Sequence, residues 1–120
     1  MKLEEFIKTQ IKSVDELRVL LLFHAHPQAE INADEVSAQL YISPASSSAV
    51  LTRLAAKGFL IAGGEPARYR FQPQSPELSQ LVKELAEFDR RRPVTLISMI
   101  YGHPEDVQAF ADAFKLKRET

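Results

Sequence analysis

The feature that most restricts the fold of this sequence is a change of hydrophobic period at Gly58. Residues 44–57 place apolar side chains at helical spacing. The period becomes twofold after Gly58: residues 59–62 are typical of a strand, and residues 68–71 alternate charged and aromatic side chains as a half-buried strand does. The glycine-rich residues 63–66 between them are typical of a turn. Glycine is the residue best able to take the left-handed conformation that ends a helix. The sequence therefore predicts a helix followed directly by a β-hairpin.

Signals for helix starts recur along the rest of the chain. In chain order they are Ser13 with Glu16 as a capping box, Asn32 with Glu35 three residues on, Ser43 before Pro44, and Ser75 before Pro76. An amphipathic helix over residues 2–11 precedes them. A largely apolar segment, residues 94–101, follows the helix that starts at Ser75. A last helix is predicted after Pro104, with Val107, Phe110 and Phe114 on one side.

The predicted order of elements is helix, short helix, tight break, helix, hairpin, helix. Two consecutive helices followed at once by a two-stranded ribbon describe a winged helix-turn-helix, so the fold class is mainly α. We assign residues 13–73 to the winged helix-turn-helix core. Residues 75–120 form additional C-terminal helices, and the 120 residues suit a single domain.

Composition excludes several classes of protein. The formal net charge is −1, which argues against a broad, charge-driven coating of nucleic acid. The chain has no cysteine and three scattered histidines, so we expect no disulfide and no metal site. Phosphate-binding and nucleophile-elbow motifs are missing from the sequence, and we expect neither enzymatic activity nor a cofactor. The first residues carry no secretory signal, which favours a cytoplasmic location.

Residues 51–61, Leu-Thr-Arg-Leu-Ala-Ala-Lys-Gly-Phe-Leu-Ile, resemble the end of the recognition helix in MarR-like bacterial transcriptional regulators. Ser43 and Pro44 are similar to the helix start in that family. The resemblance spans roughly residues 13–90. It implies double-stranded DNA as the partner, a recognition helix over about residues 44–57 and a β-wing over about residues 59–71.

A helix in the major groove needs short polar side chains near its start and cations near phosphates. Val50, Leu51 and Leu54 are expected to face the core. The candidate DNA-binding residues are then Ser46, Ser48, Thr52, Arg53, Lys57, Arg68 and Arg70. Residues 43–70 carry four cations against one acid, whereas residues 30–42 carry only acids.

Ala49 stands where such helices often have a basic residue, and few outward side chains can form paired hydrogen bonds with a base. Base specificity is therefore expected to be low or based on DNA shape. The alternative function is a winged-helix module that docks on a protein without sequence-specific DNA binding.

Several apolar side chains near the C-terminus need to be covered. They are Val94, Ile97, Ile100, Phe110 and Phe114. They can pack on the first two helices of the same chain or form a two-fold interface, and we favour a homodimer. A crevice between such helices can admit a small apolar effector, but no residue identifies one. The basic run at residues 90–92 is interpreted as the end of a helix.

Overall fold

A computed structural model describes residues 1–101 of the chain. The helices of this part are α1 (Leu3–Gln10), α2 (Val14–Ala25), α3 (Ala33–Leu40), α4 (Pro44–Ala56), α5 (Pro76–Arg91) and α6 (Pro93–Ile100). Strands β1 (Leu60–Gly63) and β2 (Arg68–Phe71) form one antiparallel sheet. The predicted helix that contains Phe110 and Phe114 lies outside the described residues.

The predicted caps start four of these helices. The side chains of Ser13, Asn32, Ser43 and Ser75 each accept a hydrogen bond from the backbone N–H three residues on. This bond pairs one of the donors that a helix start leaves free. Asn32 and Glu35 form the reciprocal capping box, but Ser13 and Glu16 do not, because the Glu16 carboxylate accepts from the Lys12 N–H and is buried.

Helix α4 ends as its sequence predicts. Lys57 is its C-cap, and Gly58 takes a φ of +88°, which an L-residue seldom adopts. A Cβ atom at Gly58 would lie 2.4 Å from the Gln74 side chain. The positive φ therefore favours glycine here, and a larger residue would also have to displace the exposed Gln74 side chain.

The helix-turn-helix pair is α3 and α4, supported by α2. Val36 of α3 and Val50, Leu51 and Leu54 of α4 are buried in the core. The turn between α3 and α4 contains Tyr41 in the left-handed region, with φ 57° and ψ 41°. The predicted inward face of α4 is therefore confirmed.

The wing pairs Leu60 with Phe71 and Gly63 with Arg68. Phe59, predicted as the first strand residue, is fully buried and precedes β1. The sequence pattern does not predict a further β-bridge beside β2. Ile31 and Tyr69 form it by exchanging two backbone hydrogen bonds of 2.9 Å. This bridge anchors the wing to the segment before α3.

Helices α1, α5 and α6 complete the same core. Phe6 and Ile7 of α1 pack with Leu85 of α5 and Leu96 of α6 in one buried cluster. The apolar segment predicted at residues 94–101 is the helix α6. In the part of the chain described here, no helix has both the length and the apolar character needed to span a membrane.

Candidate nucleic-acid interface

The outer face of α4 is free of cover from residues 1–101. Ser46, Ser48, Ala49, Thr52 and Arg53 are all exposed. A helix turns 100° per residue, so the line furthest from the buried residues consists of Ala45, Ala49, Thr52 and Ala56. The centre of the exposed face therefore presents small side chains, with serines and cations at its edges.

The hydroxyl groups of this face are partly engaged within α4 and its cap. The Ser43 hydroxyl donates to Ser46 Oγ at 2.9 Å, and Thr52 Oγ1 donates to the Ser48 carbonyl at 2.9 Å. Because the Thr52 hydroxyl proton is used inside the helix, its methyl group and the methyl groups of Ala45 and Ala49 become the distinctive surface that α4 offers.

Arg53 and Lys57 lie one helical turn apart and both contact Glu16 of α2. Arg53 Nε donates to Glu16 Oε1 at 2.6 Å, and Lys57 Nζ lies 3.3 Å from Glu16 Oε2. Lys57 Nζ also donates to the Gln10 carbonyl at the end of α1, at 2.6 Å. The Arg53 side chain remains 48% exposed, whereas that of Lys57 is 22% exposed and that of Glu16 is fully buried. Arg53 thus keeps access to solvent, and Lys57 mainly joins α4 to α1 and α2.

Glu16 is ionised in this setting. Burial on its own raises the pKa of the Glu16 carboxyl, but the Lys12 backbone N–H, the Arg53 guanidinium and the Lys57 ammonium together hold that pKa below its usual value. The sequence pattern predicts a capping role for Glu16. Its position on the buried stripe of α2, with Val19, Leu20 and Phe23 three, four and seven residues on, is the signal that could have identified it as buried.

The two arginines of the wing differ in their contacts. Arg68 Nη2 donates to Glu35 Oε1 and to the Glu30 carbonyl, both at 2.7 Å, and so fastens β2 to the start of α3. Arg70 Nη2 donates to the neutral Gln72 side chain at 2.8 Å. The Glu35 carboxylate of α3 therefore compensates the charge of Arg68, whereas the contact of Arg70 within the wing is with a neutral amide.

A groove of apolar side chains lies along α2, where residues of α3, α5 and α6 also line it, and its volume is about 390 Å³. It is lined by Val14, Leu17, Leu21, Leu22, Leu40 and Ile97, with Arg18 and Asp89 as its charged members. On α6, which contributes Ile97, Val94 is 73% exposed and Ile100 is partly buried. The described members of the predicted dimer set thus lie on or near an accessible apolar surface.

Comparison with solved structures identifies the fold. A ZitR mutant from Lactococcus lactis superposes with a TM-score of 0.55 at 15% identity, covering 89% of this chain and 74% of that one. MepR, a transcription regulator of the Staphylococcus aureus multidrug efflux pump MepA, gives a TM-score of 0.53 at 16% identity over 98% and 89% of the two chains. The chain shares the winged-helix fold of these two proteins.

A further structure with this fold is a MepR variant from S. aureus bound to an oligodeoxyribonucleotide. It gives a TM-score of 0.54 at 14% identity over 98% and 88% of the two chains. No protein-family sequence profile matches the chain, and neither does the sequence of any curated protein. The likeness is therefore one of three-dimensional structure, and it confirms the fold that residues 51–61 led us to expect.

Proposed function

We propose that this protein is a bacterial DNA-binding transcriptional regulator with α4 as its recognition helix and β1–β2 as its wing. The observation that carries the proposal is the uncovered outer face of α4, where Ser46, Ser48 and Thr52 are exposed beside the wing. A helix that presents short side chains in this way can enter the major groove without a steric conflict. A MepR variant that shares the fold is bound to an oligodeoxyribonucleotide, which supports DNA as the partner.

The cations divide into two groups by their contacts. We assign Arg53 and Arg70 to phosphate contacts, because each keeps donor groups beyond its intramolecular bond. Lys57 and Arg68 bind carboxylates and backbone carbonyls of neighbouring segments, so their main contribution is to hold α4 and the wing in place. Ser46, Ser48 and Thr52 face the bases in this arrangement.

We further propose a homodimer formed through α6 and the residues after it, with Val94, Ile97, Ile100, Phe110 and Phe114 at the interface. The exposure of Val94 and Ile97 supports this assignment. Two copies related by a two-fold axis would present two recognition helices to a palindromic site, about one turn of DNA apart. A cytoplasmic, non-catalytic regulator is the corresponding assignment for the whole protein.

Selection of bound sequences from a random duplex pool tests the proposal. We expect enrichment of a palindrome with two half-sites roughly one helical turn apart. The affinity for the enriched duplex should fall steeply with salt, because several phosphate contacts release counterions. Retention of no duplex at low salt would reject the proposal and favour the alternative of a winged-helix module that docks on a protein.

A further inference from the structure

We propose that Glu16 is a positioning residue for DNA binding: it fixes Arg53 through Nε so that the terminal nitrogens of Arg53 bind a DNA phosphate. The inference rests on the proposed DNA-binding function and adds to it a buried residue on a helix that does not itself face DNA.

The Arg53 guanidinium is bound within the chain through Nε, at one edge of its plane. Its Nε donates to Glu16 Oε1 at 2.6 Å, and within residues 1–101 neither Nη1 nor Nη2 has a hydrogen-bond partner. A guanidinium carries five donors in a rigid plane, so fixing Nε also fixes the direction of the two terminal groups. The side chain is 48% exposed and lies beside Ala49 and Thr52 on the outer face of α4. Arg53 therefore offers a preoriented pair of donors at the edge of the recognition face.

Glu16 is itself held firmly enough to act as a support. Its side chain is fully buried, and its Oε2 accepts from the Lys12 backbone N–H at 3.0 Å and from Lys57 Nζ at 3.3 Å. These donors come from the α1–α2 connection and from the end of α4. Because Lys57 shares the carboxylate, the anion remains compensated when Arg53 Nη groups bind phosphate. The site thus favours an arginine that bridges Glu16 and DNA over one that must leave Glu16 to reach DNA.

A lysine at position 53 distinguishes positioning of the guanidinium by Glu16 from an effect of positive charge alone. Arg53→Lys keeps the positive charge, but its donors all lie on one rotatable nitrogen. It lacks the rigid plane in which one nitrogen is held by Glu16 while two others are directed at a phosphate. The probe is a fluorescent duplex of mixed sequence about two turns (~20 base pairs) long, suited to a dimer. We expect the slope of log K against log salt to become shallower by about 0.9, the value of one phosphate contact. The affinity at low salt should fall about fivefold to tenfold.

Glu16→Gln should have the same effect as Arg53→Lys. The amide is similar in size, but its oxygen is a neutral acceptor and holds the guanidinium by a weaker hydrogen bond than a carboxylate does. If Glu16 acts through Arg53, the double variant should bind no more weakly than either single variant, which a double-mutant cycle measures directly. Glu4→Gln is the matched control, because it removes the same charge from an exposed pair on α1 and should leave the slope unchanged.

The outcomes separate the inference from the function on which it rests. If the unmodified protein does not bind the duplex at low salt, the proposed function fails. If it binds and Arg53→Lys keeps the original slope, the positioning role of Glu16 is rejected while DNA binding stands. Tighter binding and a steeper slope for Glu16→Gln would also reject it, since Glu16 would then compete with DNA for Arg53 and Lys57. Should Glu16→Gln not fold, as judged by circular dichroism, the Arg53→Lys measurement still decides.

Discussion

Tyr41 joins α3 to α4 in a conformation that costs an L-residue about 1–2 kcal/mol. The side chain is 92% exposed, so packing within the described residues does not repay this cost. Tyr41→Gly should therefore raise the free energy of unfolding by about 0.5–1 kcal/mol, after allowance for the greater entropy of glycine in the unfolded chain. Urea unfolding followed by circular dichroism measures the change. Tyr41→Ala retains a Cβ atom and serves as the control without the gain. A lower stability for Tyr41→Gly would show that the side chain makes a stabilising contact.

Glu16 makes the free energy of unfolding depend on pH. Its pKa is lower in the folded chain than in the unfolded chain, so the stability that it contributes is present above the unfolded value, about 4.3, and is lost as the pH falls through the lower folded value. The free energy of unfolding of the natural protein should fall towards that of Glu16→Gln as the pH is lowered from 7 to 3. Urea midpoints along this series measure the convergence, with Glu4→Gln as the exposed control. A gap between the two proteins that stays constant down to pH 3 would contradict the assignment.

At the scale of elements, the exposed face of α4 leads us to expect apolar contacts with thymine. Its central line of Ala45, Ala49 and Thr52 exposes methyl groups. Methyl groups of this kind contact the C5-methyl of thymine in the major groove. Replacing the half-site thymines of the selected duplex by uracil keeps base pairing but removes those methyls. We expect binding to weaken about fourfold for each contacted methyl, from about 0.8 kcal/mol of apolar burial.

Two controls make the uracil experiment specific to α4. Uracil placed outside the half-sites should have no effect. Thr52→Ser, which keeps the hydroxyl and removes the methyl, should reduce the sensitivity to uracil at one position. Equal affinity for thymine and uracil half-sites would instead favour readout through DNA shape.

The wing offers a comparison between two arginines on one strand. The sequence predicts the same role for both. In the structure Arg68 is paired with Glu35, whereas Arg70 has no carboxylate partner among residues 1–101. Arg70→Ala should make the salt dependence of DNA binding shallower by about one phosphate contact. Arg68→Ala should leave the slope nearly unchanged and lower stability by at most about 1 kcal/mol, as for an exposed ion pair. Equal slopes for the two variants, measured by fluorescence anisotropy, would contradict this division.

Features fixed by near neighbours could be predicted from the sequence, and features fixed by distant contacts could not. Ser43 caps α4 and Gly58 ends it because capping depends on residues within one turn. The pairing of Glu16 with Arg53 joins residues 37 positions apart, and that of Arg68 with Glu35 joins residues 33 apart. No local pattern specifies which acid a surface cation will meet. The outer face of α4 was therefore predicted correctly as exposed, but the contacts of its cations were not.

For the whole molecule, the exposed apolar residues of α6 lead to a prediction about dimerisation. Val94 is the second residue of α6 and is 73% exposed, so its side chain contributes little to the core of one chain. An aspartate there lies near the positive end of the helix dipole, which makes Val94→Asp neutral or favourable for the fold of the monomer. At a two-fold interface the same change places two carboxylates near the partner's apolar side chains.

We therefore expect Val94→Asp to weaken dimerisation at least tenfold while the unfolding curve at low protein concentration stays unchanged. Light scattering across the micromolar range measures the dissociation, and Thr95→Asp, one residue further round the exposed surface, is the matched control. Binding to a palindromic duplex should weaken in parallel, because two linked recognition helices bind a double site more tightly than either alone. A natural protein that remains monomeric throughout this range would refute the dimer. A Val94→Asp protein that still dimerises fully would place the interface elsewhere on the chain.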